Sequence, residues 1–279
     1  MKRGLDRRES EAKKRKKEYP PLDSHISLDD LIDFFGEETI VEIVMLSVQE
    51  DDGPFLKHAY ADLQRDKDFV LNAVKYDGDS LEYASDELRN DRDVVLAAIE
   101  YNPYCIKFAS DQLQRDKELI GIAIYENPFS FQVMSEKVRS DKETALLAIA
   151  KCGELLEFTS DDLKNDKDIV IAAMQNKPSS FKHASESIKN NRDFILESVK
   201  ISNVFVELDG IFRGDREIAL EAMKHNGYSI THVCDELKTD KELAYEAVKQ
   251  NPNAFKYLDE TLRMDKDFII TLLQINAKE

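Results

Sequence analysis

Residues 91–115 read DRDVVLAAIEYNPYCIKFASDQLQR, and this pattern recurs along most of the 279-residue chain. Its most regular part is a short tag: Asp or Asn, then Lys or Arg, then Asp or Glu. The tag recurs every 25 residues, with a single step of 24, and begins at Asp66, Asp91, Asp116, Asp141, Asp166, Asn191, Asp215, Asp240 and Asp265. A fixed period of this length indicates stacked structural repeats rather than a coiled coil.

Each repeat predicts two short helices, A and B. The first tag residue is a typical N-cap, because its side-chain oxygen accepts hydrogen bonds from the first turn of the helix. The acidic third residue lies at the positive end of the helix dipole. Apolar residues then follow on one helix face, as at Val94, Val95, Ala98 and Ile99. Helix A ends at a turn such as Asn102-Pro103, where Asn caps helix B and Pro begins it.

A small residue recurs at the seventh position after the start of the tag. Ala occupies it in seven of the nine units: Ala73, Ala98, Ala123, Ala148, Ala173, Ala222 and Ala247. We therefore expect each helix A to pack closely on the next. Because two such short helices cannot bury an apolar face alone, we predict an all-α fold, an α-solenoid of about nine 25-residue two-helix repeats with degenerate terminal caps.

The same pattern divides the chain. We expect a disordered basic arm at 1–20, an N-terminal helical cap and degenerate repeat at 21–65, eight repeats at 66–264 with an irregular one at 191–214, and a C-terminal capping helix at 265–279.

The repeat resembles a known family. DRDVVLAAIEYNP, followed by Phe108-Ala109-Ser110-Asp111-x-Leu113, is similar to the repeat called domain of unknown function 4116, found in bacterial proteins and in protists. The resemblance covers residues 40–279 and implies an all-helical repeat. It implies no catalytic or binding residues, since the family has no established activity. The unit at 191–214 departs from the pattern, because it is one residue short and lacks the Asn-Pro turn.

Composition restricts the class of protein. Hydrophobic residues make up 42% of the chain, enough for a core, whereas only 9 Gly and 7 Pro argue against loop-rich β folds and phosphate-cradling enzymes. Cys105, Cys152 and Cys234 form no CxxC pair, which fits a reducing compartment. We find no signal peptide and no apolar stretch near the ~18 residues that span a bilayer. We expect an intracellular protein, cytoplasmic or nuclear, with no membrane association.

Charge is unevenly distributed. The chain carries a net charge of −17, but residues 1–18 hold nine Lys or Arg against four acids, a local charge of +5, which leaves −22 on the remainder. A body this acidic disfavours nucleic acid and favours a protein partner with basic patches.

The residues predict no catalytic chemistry. No phosphate-binding, zinc-protease or hydrolase motif is present, and the acidic tags are explained by capping. His58, His183 and His232 share a helix-B position with Tyr83 and other aromatic residues, which indicates packing. His225, His232 and Cys234 match no zinc spacing. We therefore predict a non-enzymatic protein without cofactor or metal.

Two places in the chain have residues that differ from the repeat pattern, and both are candidates for partner binding. Exposed tyrosines are favoured at interfaces, and Tyr76, Tyr101 and Tyr125 end helix A in three successive units, with Tyr104 close by. Ordinary half-buried packing is the alternative. The irregular unit offers Phe205 and Phe212 and is a bend, a docking loop or a packing adjustment.

The basic arm carries a bipartite pattern typical of a nuclear import signal, formed by Lys2, Arg3, Lys14, Arg15, Lys16 and Lys17. The alternatives are a solvated arm without a receptor and an arm that contacts nucleic acid or the acidic body. The whole sequence thus predicts a protein-interaction scaffold, directed to the nucleus if the arm binds an import receptor. The rival functions are a secreted bacterial effector acting on a host protein and a nucleic-acid-associated protein binding through the arm.

Overall fold

The computed structural model describes residue 61 and residues 63–276, and within them every regular element is a helix. Each tag begins a long α-helix. These are α1 (Lys67–Tyr76), α2 (Arg92–Tyr101), α3 (Lys117–Glu126), α4 (Lys142–Lys151), α5 (Lys167–Asn176), α6 (Arg192–Ser198), α7 (Arg216–His225), α8 (Lys241–Gln250) and α9 (Lys266–Asn276). The all-α repeat solenoid is confirmed. The predicted arm and most of 21–65, including His58, lie outside the described residues.

The predicted helix B is two separate segments. The first is a 3-10 helix: Gly78–Tyr83, Pro103–Phe108, Pro128–Val133, Gly153–Phe158, Pro178–His183, Val204–Glu207, Gly227–His232 and Pro252–Tyr257. The second is one short helical turn: Asp86–Arg89, Leu113–Arg115, Glu136–Arg139, Asp161–Lys164, Glu186–Lys189, Gly210–Arg213, Asp235–Leu237 and Glu260–Arg263. A further turn, Leu63–Arg65, precedes α1.

A serine explains why helix B divides. In the unit from Asp91, Ala109 is extended after the 3-10 helix, and the hydroxyl of Ser110 accepts a hydrogen bond from the Leu113 amide at 3.3 Å. Ser110 is therefore an N-cap, which starts a new helical turn instead of continuing the old helix. Ser85 and Ser185 cap the following turn in the same way in their own units.

The predicted N-caps are confirmed in all nine units. In α3, for example, the Asp116 carboxylate accepts from the amides of Glu118 and Leu119 at 2.9 and 3.1 Å. Asn191 also caps α6, since its side-chain oxygen accepts from the Phe194 amide at 3.0 Å. The tag therefore sets the start of every long helix through the geometry of its own first turn.

The second tag residue links neighbouring units. Lys142 Nζ lies 2.7 Å from the Asp166 carboxylate and 3.0 Å from that of Asp168, both in the tag of the next unit. Corresponding ion pairs join seven of the eight described junctions: Lys67–Asp91, Arg92–Glu118, Lys117–Glu143, Lys142–Asp166, Arg192–Asp215, Arg216–Asp240 and Lys241–Asp265. We call this row the ion-pair ladder.

Neighbouring long helices lie side by side and parallel. The ion-pair ladder brings their N-termini together along one edge. Contacts such as Asn176 Nδ2 to the Ala150 carbonyl, at 3.0 Å, bring the C-termini of α4 and α5 together along the other. We call this second side the C-terminal edge.

The core runs through the stack. The seven alanines predicted to lie between helices are all buried. The approach is close enough that a Cβ built on Gly153 would lie 2.4 Å from the Ala173 carbonyl oxygen, so the start of this 3-10 helix requires glycine. Among the described helices, none is both long and apolar enough to cross a membrane.

Asp215 illustrates the two roles of the first tag residue, which caps its own helix and pairs with a cation of the preceding unit. Arg192 donates to its carboxylate at 2.7 Å, and this contact, together with backbone amides, lowers the pKa of Asp215 against the opposing effect of burial. Its charge therefore stabilises the fold above an unfolded pKa of about 3.9, and this contribution is lost as the pH falls through the lower folded pKa.

We expect Asp215→Asn to keep the cap, as Asn191 does, and to lose up to about 1 kcal/mol of stability at pH 7. This deficit should shrink as the pH falls below about 3.9 and the carboxyl group becomes protonated in the folded protein as well. Asp215→Ala also removes the cap and should cost about 1 kcal/mol more at pH 7. Urea unfolding of the wild type and the two variants, from pH 7 into acid, measures the contributions of the ion pair and of the cap to stability. Equal losses for Asn and Ala, or a deficit that persists in acid, would contradict the assignment.

Candidate functional site

The predicted tyrosines lie on the C-terminal edge. Tyr76, Tyr101 and Tyr125 occupy the last turns of α1, α2 and α3 and are 48%, 56% and 71% exposed, so they are not packed into the core. Tyr104 is half-buried in the 3-10 helix after α2. Tyr125 lies one position earlier in its unit than the other two, and the structure shows no ring-to-ring contact among these four described residues. Their role in partner binding stays a prediction.

Sequence reasoning missed Phe129, which is 42% exposed on the same edge. It is the second residue of the 3-10 helix Pro128–Val133, and its amide donates to the capping Asn127 side chain at 3.0 Å. Tyr104 and Tyr228 hold the same position in their units. That correspondence, read across repeats, is the signal that identifies Phe129.

Two carboxylates accompany these aromatic residues. Glu100 and Glu126 lie beside Tyr101 and Tyr125 in the last turns of α2 and α3, are exposed, and form no ion pair with any described residue. A negative charge is unfavourable at a helix C-terminus. In four other long helices the last turn carries a cation (Lys75, Lys151, Lys224 and Lys249), whereas α5 and α6 carry none there. We call Glu100, Tyr101, Tyr125, Glu126 and Phe129 the acidic aromatic patch.

Tyr101 also replaces a structural amide. The 3-10 helices begin mostly with Pro, which has no N–H, or with Gly. The N–H of Gly153 is accepted by Asn176 Oδ1 at 2.8 Å, and that of Gly227 by Gln250 Oε1 at 2.7 Å, both from the last turn of the next long helix. At Gly78 the corresponding residue is Tyr101, and the Gly78 N–H has no acceptor within the described part of the chain. At position 101 the C-terminal edge therefore carries an exposed tyrosine, although an amide side chain there would accept the Gly78 N–H and stabilise the stack.

The prediction for the irregular unit needs correction at Phe205. Phe205 is only 1% exposed and lies in the core, so it cannot contact a partner, and Phe212 is partly buried against that core. The missing residue of this unit lies before Phe205, which therefore takes the buried position held by Phe181 one unit earlier. The exposed apolar residues here are Ile201, Val206 and Ile211.

The described histidines and cysteines do not come together in a catalytic or metal-binding group. His183 and His232 end their 3-10 helices, and burial lowers the pKa of both, so they are neutral at pH 7. Cys105 is buried beside Asp79, and burial raises the pKa of its thiol well above the ordinary value. Within residues 63–276, no three His, Cys, Asp or Glu side chains form a cluster that could hold a metal ion.

The arm residues Lys2, Arg3, Lys14, Arg15, Lys16 and Lys17 lie outside the described residues, so the import signal stays a prediction.

The Tyr101 exchange has a measurable consequence. We expect Tyr101→Asn to supply the missing acceptor for the Gly78 N–H, and so to be more stable than Tyr101→Ala by up to about 1 kcal/mol. Glu126 gives the matched control, because the preceding 3-10 helix begins with Pro103 and has no N–H to satisfy.

Urea unfolding should therefore show an advantage of Asn over Ala at position 101 and none at position 126. The same Asn-minus-Ala difference at both positions would show that Tyr101 does not stand in for a structural amide.

The chain was compared with protein families, curated proteins and solved structures. The family model described as Domain of unknown function (DUF4116) matches residues 41–89, 91–139, 141–189, 171–208, 191–238, 215–263 and 240–278. Five of these matches begin at the first residue of a tag, and most of them span about two of the repeats described above. Neither the curated proteins nor the solved structures gave a match.

Proposed function

The chain belongs to the family described as Domain of unknown function (DUF4116), and from its repeats we propose that it is a non-enzymatic scaffold that binds a basic segment of a partner protein through the acidic aromatic patch. The observation that carries the proposal is the pair Glu100 and Glu126. Both are exposed, lack an ion pair with any described residue, and lie at helix ends where their charge is unfavourable.

The chemistry of the patch fits a cationic ligand. Carboxylates attract Lys and Arg, and the face of a tyrosine ring attracts the same cations. The chain itself provides an example, since Lys151 Nζ lies 5.1 Å from the centroid of the Tyr125 ring. The net charge of −17 adds a long-range attraction that speeds encounter with a basic partner.

The dimensions of the patch fit an extended segment. Its residues come from α2, α3 and the 3-10 helix that follows α3. Adjacent helices lie roughly 8–10 Å apart, and an extended chain advances about 3.3 Å per residue. A segment of about four to six residues would therefore cross the patch, with its cations near the two glutamates and its apolar side chains against Tyr101 and Phe129.

The repeated acids do not need a catalytic role. The tag carboxylates are held by backbone amides and by cations of the preceding unit, as at Asp166, which accepts from two amides and from Lys142. This arrangement stabilises the stack and leaves binding to the variable C-terminal edge.

Charge reversal separates binding from stability. We expect Glu100→Lys with Glu126→Lys to keep or raise the unfolding free energy, because the new cations suit the helix ends, by about 0.3–1 kcal/mol for each site. Partner binding should fall at least about tenfold, the factor given by 1.4 kcal/mol. Glu197→Lys, another exposed and unpaired glutamate, is the control.

The full chain, the double variant and the control are immobilised in turn, and captured proteins are identified by mass spectrometry. A basic protein held by the wild type and the control but not by the double variant supports the proposal. Equal capture on all three, or on none, contradicts it. A fourth immobilised protein, which lacks residues 1–18, tests the arm. A protein partner that this deletion loses but the double variant keeps would assign binding to the arm. A bound nucleic acid that only the deletion loses would assign the nucleic-acid role to the arm.

We propose in addition that the basic arm is a nuclear import signal, supported by the spacing of its two basic clusters. In a eukaryotic cell, replacing Lys14, Arg15, Lys16 and Lys17 with Ala should move a fluorescent fusion from the nucleus to the cytoplasm. Replacing three of the four acids of the arm, Asp6, Glu9 and Glu11, is the control and should leave the fusion nuclear. An unchanged distribution of the first variant would reject the import role.

A further inference from the structure

One junction of the stack differs from all the others that the structure describes. Between the units 166–190 and 191–214, no ion pair crosses, and no hydrogen bond crosses beyond the turn that connects them. The seven other described junctions each carry at least one ion pair of the ladder.

The tag sequence explains part of the gap. Lys167 is the ladder cation of its unit, but the next tag begins with Asn191, which caps α6 and carries no charge. Asp193, the counterpart of the ladder partner Glu118, forms no ion pair with Lys167 either. Lys167 Nζ lies instead over the ring of Phe194, at 5.9 Å from its centroid. This contact is at the outer limit of cation–π distances and fixes orientation weakly.

Helix packing is weakest at the same place. α6 has seven residues, whereas α1 to α5 have ten each, and it ends at Val199 in a helical conformation instead of the extended residue that ends its neighbours. α5 and α6 are also the least closely packed of the adjacent long helices. The junction is held mainly by apolar contact, including that of the 3-10 helices Pro178–His183 and Val204–Glu207.

Apolar contact is not directional, whereas ion pairs and hydrogen bonds fix relative orientation. A packed junction without polar cross-links allows small sliding movements of the elements on either side. We propose that the junction between α5 and α6 is a hinge, about which residues 63–190 and residues 191–276 reorient as two blocks. The acidic aromatic patch lies wholly in the first block, so the hinge changes its position relative to the second.

The missing carboxylate can be restored. Asp begins every other tag, so Asn191→Asp keeps the N-cap and places a carboxylate within the reach of Lys167, as Asp166 is for Lys142. We expect this change to reduce the reoriented population about two- to fivefold, the effect of a single exposed ion pair.

Pulsed electron spin resonance on the full chain measures the effect. Cys152 and Cys234 are replaced by Ser, and spin labels are placed at exposed, equivalent positions four units apart. The labels at Lys137→Cys and Glu236→Cys span the junction, and those at Glu87→Cys and Ser187→Cys lie within the first block.

We expect a broader distance distribution for the spanning pair than for the control pair, and a narrower one after Asn191→Asp. Circular dichroism confirms that each labelled chain is folded before its distances are compared. A spanning distribution as narrow as the control would overturn the hinge, and so would a breadth that Asn191→Asp leaves unchanged.

Discussion

In most of the described repeats, one side chain holds both the helix and the stack. The first residue of the tag accepts hydrogen bonds from its own helix and, in six of the nine described units, pairs with a cation from the unit before. At Asp240, two amides and Arg216 converge on one carboxylate. Since the same group fixes where a helix begins and where its neighbour lies, local structure and stacking cannot vary independently. The 25-residue period is the consequence.

Because of this arrangement, the side chains at the two edges of the stack differ in how much they can vary between units. The N-terminal ends of the long helices are fixed by the ladder, so their residues repeat. Where a 3-10 helix begins with Pro, the C-terminal edge needs only a cap, as at Asn102, whose side chain accepts from the Tyr104 amide at 3.1 Å. The side chains of the last helical turn are therefore free to differ, and here the chain places tyrosine and glutamate against the preferences of the helix. A functional surface is expected where variation does not disturb the fold.

The sequence predicted the features that depend on neighbours along the chain. The N-caps, the apolar face and the Asn-Pro turn follow local rules, and all of them are present in the structure. The division of helix B was missed, although Ser110 is a recognisable cap, because its position was interpreted only as part of an apolar helix. The ion-pair ladder was missed because its partners are about 25 residues apart. The reason for a basic residue at the second tag position becomes visible only when neighbouring units are stacked. The prediction that Phe205 binds a partner was wrong because this unit is one residue short. Counting residues forward from the preceding tag misaligns Phe205 with the other units, whereas counting back from the following tag assigns it to a core position.

The two departures from the repeat differ in physical kind. Glu100 and Glu126 break an electrostatic preference within their own helices. The ladder ion pairs of their units, Arg92–Glu118 and Lys117–Glu143, are present, so the stack tolerates them. Asn191 satisfies its own helix fully and breaks only the link to the unit before. A carboxamide can do the first task of the tag residue but not the second, since it accepts hydrogen bonds and carries no charge. The change from Asp to Asn therefore loosens one junction without weakening any helix, which is the condition for a joint between two ordered blocks.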